Sequence, residues 1–127
     1  MIKSCSRLYV IFIVSLAFAT AHTGFSVVYV TINSPSSASE LAKSIIANEL
    51  AACVNILPGI LSIYKWEGKV LTDTEHLLMI KTRDDLLQSL SAHIKAHHPY
   101  SVPEIIAVPI EFGDSAYLEW IKESTKS

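Results

Sequence analysis

Two imidazoles stand side by side at His97-His98. A third lies four residues back at His93, and a carboxylate follows at Glu104, all within "HIKAHHPYSVPE". Spacing of four on a helix brings His93 and His97 to one face, where two ring nitrogens could chelate a metal. Imidazole suits copper and zinc better than calcium or magnesium. The stretch also reads as a structural exit. A histidine at a helix end caps carbonyls and complements the dipole, and Pro99 pushes the residue before it out of helical geometry. Leu87, Leu90, Ile94 and His97 fall on one stripe, which favours a packed ring at His97. Spacing alone leaves both readings open.

Other chemistry is thinly furnished. Cys53 follows Leu50-Ala51-Ala52 and opens an apolar run, the usual setting of an inert core cysteine. There is no G-x-S-x-G elbow, and Glu104 and Glu111 form an acid/base pair only if folding brings them together. The loop from Asn33 to Ser37 holds neither glycine nor a basic residue, so it lacks a grip on a phosphoryl group. These observations point to a protein that is not an enzyme. Lys65, Lys69 and Lys81 could line a cleft for a small anion; Lys81, between Ile80 and Thr82, is the least ordinary of them. Tyr64 and Trp66 read as interface anchors rather than stacking platforms.

The elements that position these residues alternate cleanly. "FSVVYVTI" (25–32) is rich in β-branched and aromatic residues and predicts a buried strand. Ser37 and Glu40 have capping-box spacing, and Leu41, Ala42, Ile45, Ile46 and Leu50 recur with helical period, which predicts a helix over about 37–51. "CVNILPGILSIYKW" (53–66) has strand chemistry, with a bend or bulge expected at Pro58-Gly59. Glu67-Gly68 reverses the chain, and residues 70–82 return as a second long strand. The tip of that hairpin carries Ile60, Ile63, Tyr64 and Trp66, which a lone chain would expose, so pairing with another chain is expected. Thr82 with Asp84 and Asp85 predicts the cap of a second helix ending at Pro99. Residues 105–112 form a last strand whose Pro109 suggests an edge, and "SAYLEWIKEST" a last helix with Tyr117, Leu118 and Ile121 inward. The order βαββαβ plus a C-terminal helix is the ferredoxin-like α+β arrangement.

The 127 residues amount to one domain, half apolar and 17% charged, with a formal charge of −2 and no Lys/Arg run. That composition excludes a disordered chain and gives no electrostatic grip on nucleic acid. Residues 1–24 stand apart from the domain expected over 25–127. Lys3 and Arg7 precede the apolar "LYVIFIVSLAFA", and Ala19-Thr20-Ala21 is a small-residue cleavage pattern. The layout is that of a secretory signal peptide. A membrane anchor through residues 1–21 and a mitochondrial import sequence are the alternatives. Loss of residues 1–21 leaves 106 of the 127 residues and takes Lys3 and Arg7 from the ten basic residues, so eight face twelve acidic ones. It also leaves Cys53 as the single cysteine, and a core this small without disulfides favours oligomerisation.

"LAACVNILPGILSIYKWEGK", "LMIKT", "HHPYSVPEIIAVPI" and "YLEWI" appear in that order, and through them the chain from about Phe25 onward resembles the CutA family of divalent-ion tolerance proteins. The resemblance implies ferredoxin-like subunits in a tight homotrimer with hairpins pairing between subunits, an architecture similar to PII-type signalling proteins. It implies binding of divalent metal, copper above all, rather than catalysis. The copper-binding histidines assigned in bacterial members carry over to His97 and His98, with Glu104 as a carboxylate that could orient a ring. The family's cysteine does not carry over: its position here is Val30, which weakens a copper(I) site most. The PII-like likeness also implies an alternative, a trimeric signalling or scaffold protein binding a small anion or a partner protein in intersubunit clefts near Tyr64, Trp66, Lys81 and Glu104. A link to acetylcholinesterase processing, made for animal members, rests on the resemblance alone.

Overall fold

The computed structural model describes residues 22–127, so the leader-like segment expected over residues 1–21 lies outside the described residues. Strand β1 (Phe25–Ile32) alternates strictly, with Ser26, Val28, Val30 and Ile32 buried. Helix α1 (Pro35–Ala47) begins two residues earlier than the capping-box spacing suggests. Ser34 is its N-cap, accepting the Ser37 N–H at 3.2 Å, and Pro35 enters the first turn. A proline there has its φ preset and no N–H to leave unpaired, which explains why Ser34 wins over Ser37.

The helix also stops four residues short of the expected 51. Leu50 N–H donates to Ile45 O at 3.1 Å and Glu49 N–H to Ile46 O at 3.0 Å, the paired bonds of a Schellman cap. Glu49 supplies the left-handed residue with φ 56°. Glycine usually fills that place, so the sequence carried no stop signal.

Strands β2 (Cys53–Trp66) and β3 (Lys69–Arg83) form the long hairpin. Glu67 and Gly68 turn it with φ of 49° and 77°, the double positive φ that matches the twist of the flanking strands. Between Leu57↔Leu77 and Ile60↔Glu75 the register slips, so Pro58 and Gly59 together oppose His76 alone. Gly59, at φ 69°, makes this bulge possible without strain.

Thr82 does not cap a helix. It lies in β3, fully buried, and its hydroxyl donates to Leu50 O at 2.7 Å, tying the end of the α1–β2 connection to the sheet. Asp84 accepts instead from Ser26 Oγ at 2.6 Å, and Asp85 accepts from Arg83 Nε at 2.9 Å and Nη2 at 3.0 Å. A 3-10 turn (Asp84–Leu86) leads into α2 (Leu87–His97), whose N-cap position, Leu86, makes no side-chain cap bond. Strand β4 (Ile106–Pro109) is shorter than the expected 105–112, and Pro109 sits opposite Ser26 on an edge strand, where a missing donor costs little. Helix α3 (Ser115–Glu123) is capped by Asp114, which accepts the Tyr117 N–H at 3.2 Å. Of its expected inward residues Ile121 is buried, Leu118 half-buried and Tyr117 exposed.

The four strands form one antiparallel sheet in the order β2-β3-β1-β4, the ferredoxin-like α+β arrangement. Val28, Val30 and Ile32 of β1, Leu78 and Ile80 of β3, Leu41 and Ile45 of α1, and Leu90 and Ile94 of α2 share one core. Truncating any of these large residues to alanine costs about 2–5 kcal/mol. The outer hairpin lacks such cover: Leu61, Ile63, Trp66 and Val70 are all more than half exposed. No helix among the described residues is long and apolar enough to cross a membrane.

Candidate metal-binding site

The two adjacent histidines end α2 and leave it in opposite directions. Pro99 forces His98 into extended backbone, φ −90° and ψ 140°, so its ring swings back toward the sheet while His97 remains on the helix surface. His98 is buried, with 8% of its surface exposed. Its Nε2–H donates to Thr31 O at 2.7 Å and its Nδ1 accepts the Tyr100 N–H at 3.0 Å. A carbonyl can only accept and an amide N–H only donate, so both ring nitrogens are committed and the tautomer follows.

His97 is exposed rather than packed on the leucine stripe. The stripe is two turns long and ends at Ile94, because the chain leaves the core at Pro99. His97 Nδ1–H donates to His93 O at 2.7 Å, and no hydrogen bond holds its Nε2 among the described residues. The His93 and His97 rings stack with centroids 4.2 Å apart. His93 Nε2 meets Ser44 Oγ of α1 at 2.8 Å. Burial pushes the His93 imidazole below the usual histidine value, and the charges that the His97 ring and Lys126 can carry push the same way. A groove of about 490 Å³ runs between the helices beside this pair, lined by Ser37, Glu40 and Ser44 on one side and Ala96 to Pro99 on the other.

A second polar cluster lies past His98. The Tyr100 hydroxyl donates to Glu75 Oε2 at 2.9 Å, and the Tyr100 ring meets His98 edge-on with centroids 4.7 Å apart. Burial first, and the Glu75 bond second, raise the Tyr100 phenol well above the usual tyrosine range. Tyr64 donates to Asp73, and that bond is the largest cause of its own raised value. Lys81 Nζ donates to Asn55 Oδ1 and, at 3.4 Å, to Met79 O. Trp66 is exposed at the hairpin turn. Glu104 is exposed too, and no hydrogen bond or ion pair joins it to either histidine among the described residues. Val30 is sealed in the core.

No group of three or more His, Cys, Asp or Glu side chains among the described residues is placed to hold a metal ion. His97 offers one exposed imidazole nitrogen without a hydrogen-bond partner among the described residues, a single donor rather than a built metal site. One imidazole donor does not make a closed copper(I) cage, which calls for soft thiolate ligands.

Comparison with known proteins decides the lineage. The family model described as CutA1 divalent ion tolerance protein matches residues 26–124. The chain belongs to the CutA family. It is 59% identical over 100 residues to the chloroplastic CutA 1 protein of Oryza sativa subsp. japonica, covering 79% of this chain and 56% of that one. To the divalent-cation tolerance protein CutA of Thermus thermophilus it is 48% identical over 99 residues, covering 78% and 96%. The chain thus spans little more than half the length of its plant relatives. The crystal structure of CutA1 from Oryza sativa superposes with a TM-score of 0.80 at 55% identity, covering 84% of this chain and 98% of that one. The Thermus thermophilus structure gives 0.79 at 46% identity, covering 80% and 99%.

Within this CutA chain, sequence reasoning missed the Tyr100–Glu75 bond, the His93–Ser44 bond and the groove beside Glu40. The first joins residues 25 apart and the second residues 49 apart. Neither shows in local spacing. His76 was also missed. It is 9% exposed, faces the bulge, and its Nδ1 has no hydrogen-bond partner. A histidine inside "EHLLMIK", at an alternation position otherwise filled by Leu78 and Ile80, was the available signal.

Proposed function

We propose that the chain works as a homotrimeric, non-enzymatic divalent-metal binding protein, with copper(II) as the preferred ion and a role in metal response or tolerance. The observation that carries the metal reading is the open Nε2 of His97 at the rim of a groove containing Glu40. His98 anchors the turn that holds His97 in place, and takes up a metal only by giving up its bonds to Thr31 and Tyr100. Assembly is supported by the apolar outer hairpin, which in a trimer is covered by neighbouring copies.

The test is a titration of purified protein with copper(II), followed by calorimetry and electron paramagnetic resonance. His97→Ala abolishes binding at this site, and unchanged affinity would sink the assignment. Sedimentation at micromolar protein gives the mass of three subunits; a stable monomer refutes the assembly. The alternative, a scaffold taking a small anion, has weaker support, because the Lys81 ammonium is already occupied by Asn55 and Met79. Residues 1–21 favour entry to the secretory pathway, whereas two plant relatives are named chloroplastic. Amino-terminal sequencing of natively purified protein distinguishes the routes.

A further inference from the structure

We propose that processing after Ala21 makes His22 the amino-terminal residue, and that its new α-amine and its imidazole Nδ1 together bind copper(II) at a site separate from His97. The small-residue pattern Ala19-Thr20-Ala21 is followed directly by histidine. Both nitrogens of the His22 ring have partners that hold its orientation. Its Nδ1 accepts the Gly24 N–H at 3.2 Å, so the lone pair is there and the ring proton is on Nε2. Nε2 lies 3.1 Å from Asp84 Oδ2. A carboxylate on the far nitrogen is the arrangement that fixes the tautomer and orientation of metal-bound histidines.

Asp84 is itself held. It accepts Ser26 Oγ–H at 2.6 Å, and its backbone N–H donates to Gly24 O at 2.9 Å. Thr23 is tied to Ile110 O at the end of β4, so the segment is anchored right up to His22. The His22 side chain is 48% exposed and open to an ion from solvent.

In an uncut chain the nitrogen of residue 22 is an amide and a poor ligand. Cleavage turns it into a primary amine, which closes a chelate ring with Nδ1 through Cα, Cβ and Cγ. Paired nitrogen donors suit copper(II) above the other common divalent ions. Binding displaces the Gly24 N–H from Nδ1 and releases the ammonium proton. A free α-amine titrates near about 7.7–8.0, so copper competes for it readily at neutral pH and poorly in acid. The amino-terminal site exists only in processed protein, whereas the His97 site is present in both forms.

The test expresses the 127-residue chain in a secreting eukaryotic host and weighs the recovered protein. A mass corresponding to residues 22–127 is expected; a chain starting anywhere else overturns the proposal. Copper(II) is then titrated and followed by electron paramagnetic resonance. The nitrogen-coordinated signal persists in His97→Ala and is lost both in His22→Ala and in wild-type protein whose α-amine is acetylated. The acetylated sample covers the case in which His22→Ala shifts the cut. Asp84→Asn weakens binding about 10–100-fold, the usual effect of removing a ligand's orienting carboxylate. Unchanged affinity in the acetylated protein also overturns the proposal. Failure of the His97 site leaves this result untouched, because the two sites share no residue.

Discussion

Substituting alanine for His98 removes a buried ring joined to two backbone groups. The bonds to Thr31 O and from Tyr100 N–H each contribute about 0.5–1.5 kcal/mol net, and both backbone partners are left short of a partner in a half-buried place. The edge contact with the Tyr100 ring adds about 0.5–1.5 kcal/mol. Together the loss is about 2–4 kcal/mol of stability in metal-free protein. The neighbouring change His97→Ala removes one exposed bond to a helix carbonyl and gains helix propensity, so its effect stays within about 0.5 kcal/mol. Guanidinium unfolding followed by circular dichroism reads the difference. Protein concentration is held fixed, because the midpoint of an assembling chain would depend on it. If His98→Ala costs no more than His97→Ala without metal, the buried ring is not the fastening argued from its hydrogen bonds.

His93 has its value lowered by burial, so the unfolded chain binds its proton more readily than the folded one. Stability from this group is therefore full above the unfolded value of about 6.5 and is lost as pH falls below it; His93→Gln should flatten the pH dependence of unfolding between about pH 7 and 5. The Tyr100 phenol, raised by burial and by Glu75, should remain protonated after the ordinary tyrosines have titrated in an alkaline absorbance scan. Tyr100→Phe should remove that late-titrating group and cost about 1–3 kcal/mol by leaving buried Glu75 without its donor. Glu49→Gly should raise stability by up to about 1 kcal/mol, since a left-handed residue with a side chain carries about 1–2 kcal/mol of strain and glycine's extra unfolded freedom returns part of it.

The order of elements was legible because each strand announced itself by alternation and each helix by period. The Pro58-Gly59 bulge and the Glu67-Gly68 turn were legible because those residue types permit few conformations. Element ends were misread wherever an atypical residue did the work. Glu49 occupies a glycine's place, Ser34-Pro35 outcompetes a plausible capping box, and Thr82 spends its hydroxyl on a carbonyl 32 residues away. The histidines could be named from spacing, but their roles could not. Whether a ring nitrogen is open or committed depends on Thr31, which lies 67 residues from His98 and is brought there by the sheet.

The extra residue at Pro58-Gly59 also acts as a parity switch. Up to Leu57 the odd-numbered residues of β2 share a face with Leu77 and Met79; from Ile60 outward the even-numbered ones share that face with Glu75, Asp73 and Leu71. Tyr64 can reach Asp73 only because the count changes there. Were the inner register to continue unbroken past Leu57, Tyr64 would stand opposite Val70 and the two surfaces of the outer β2 arm would be exchanged. One inserted residue thus decides which side chains of the outer β2 arm stand on each surface.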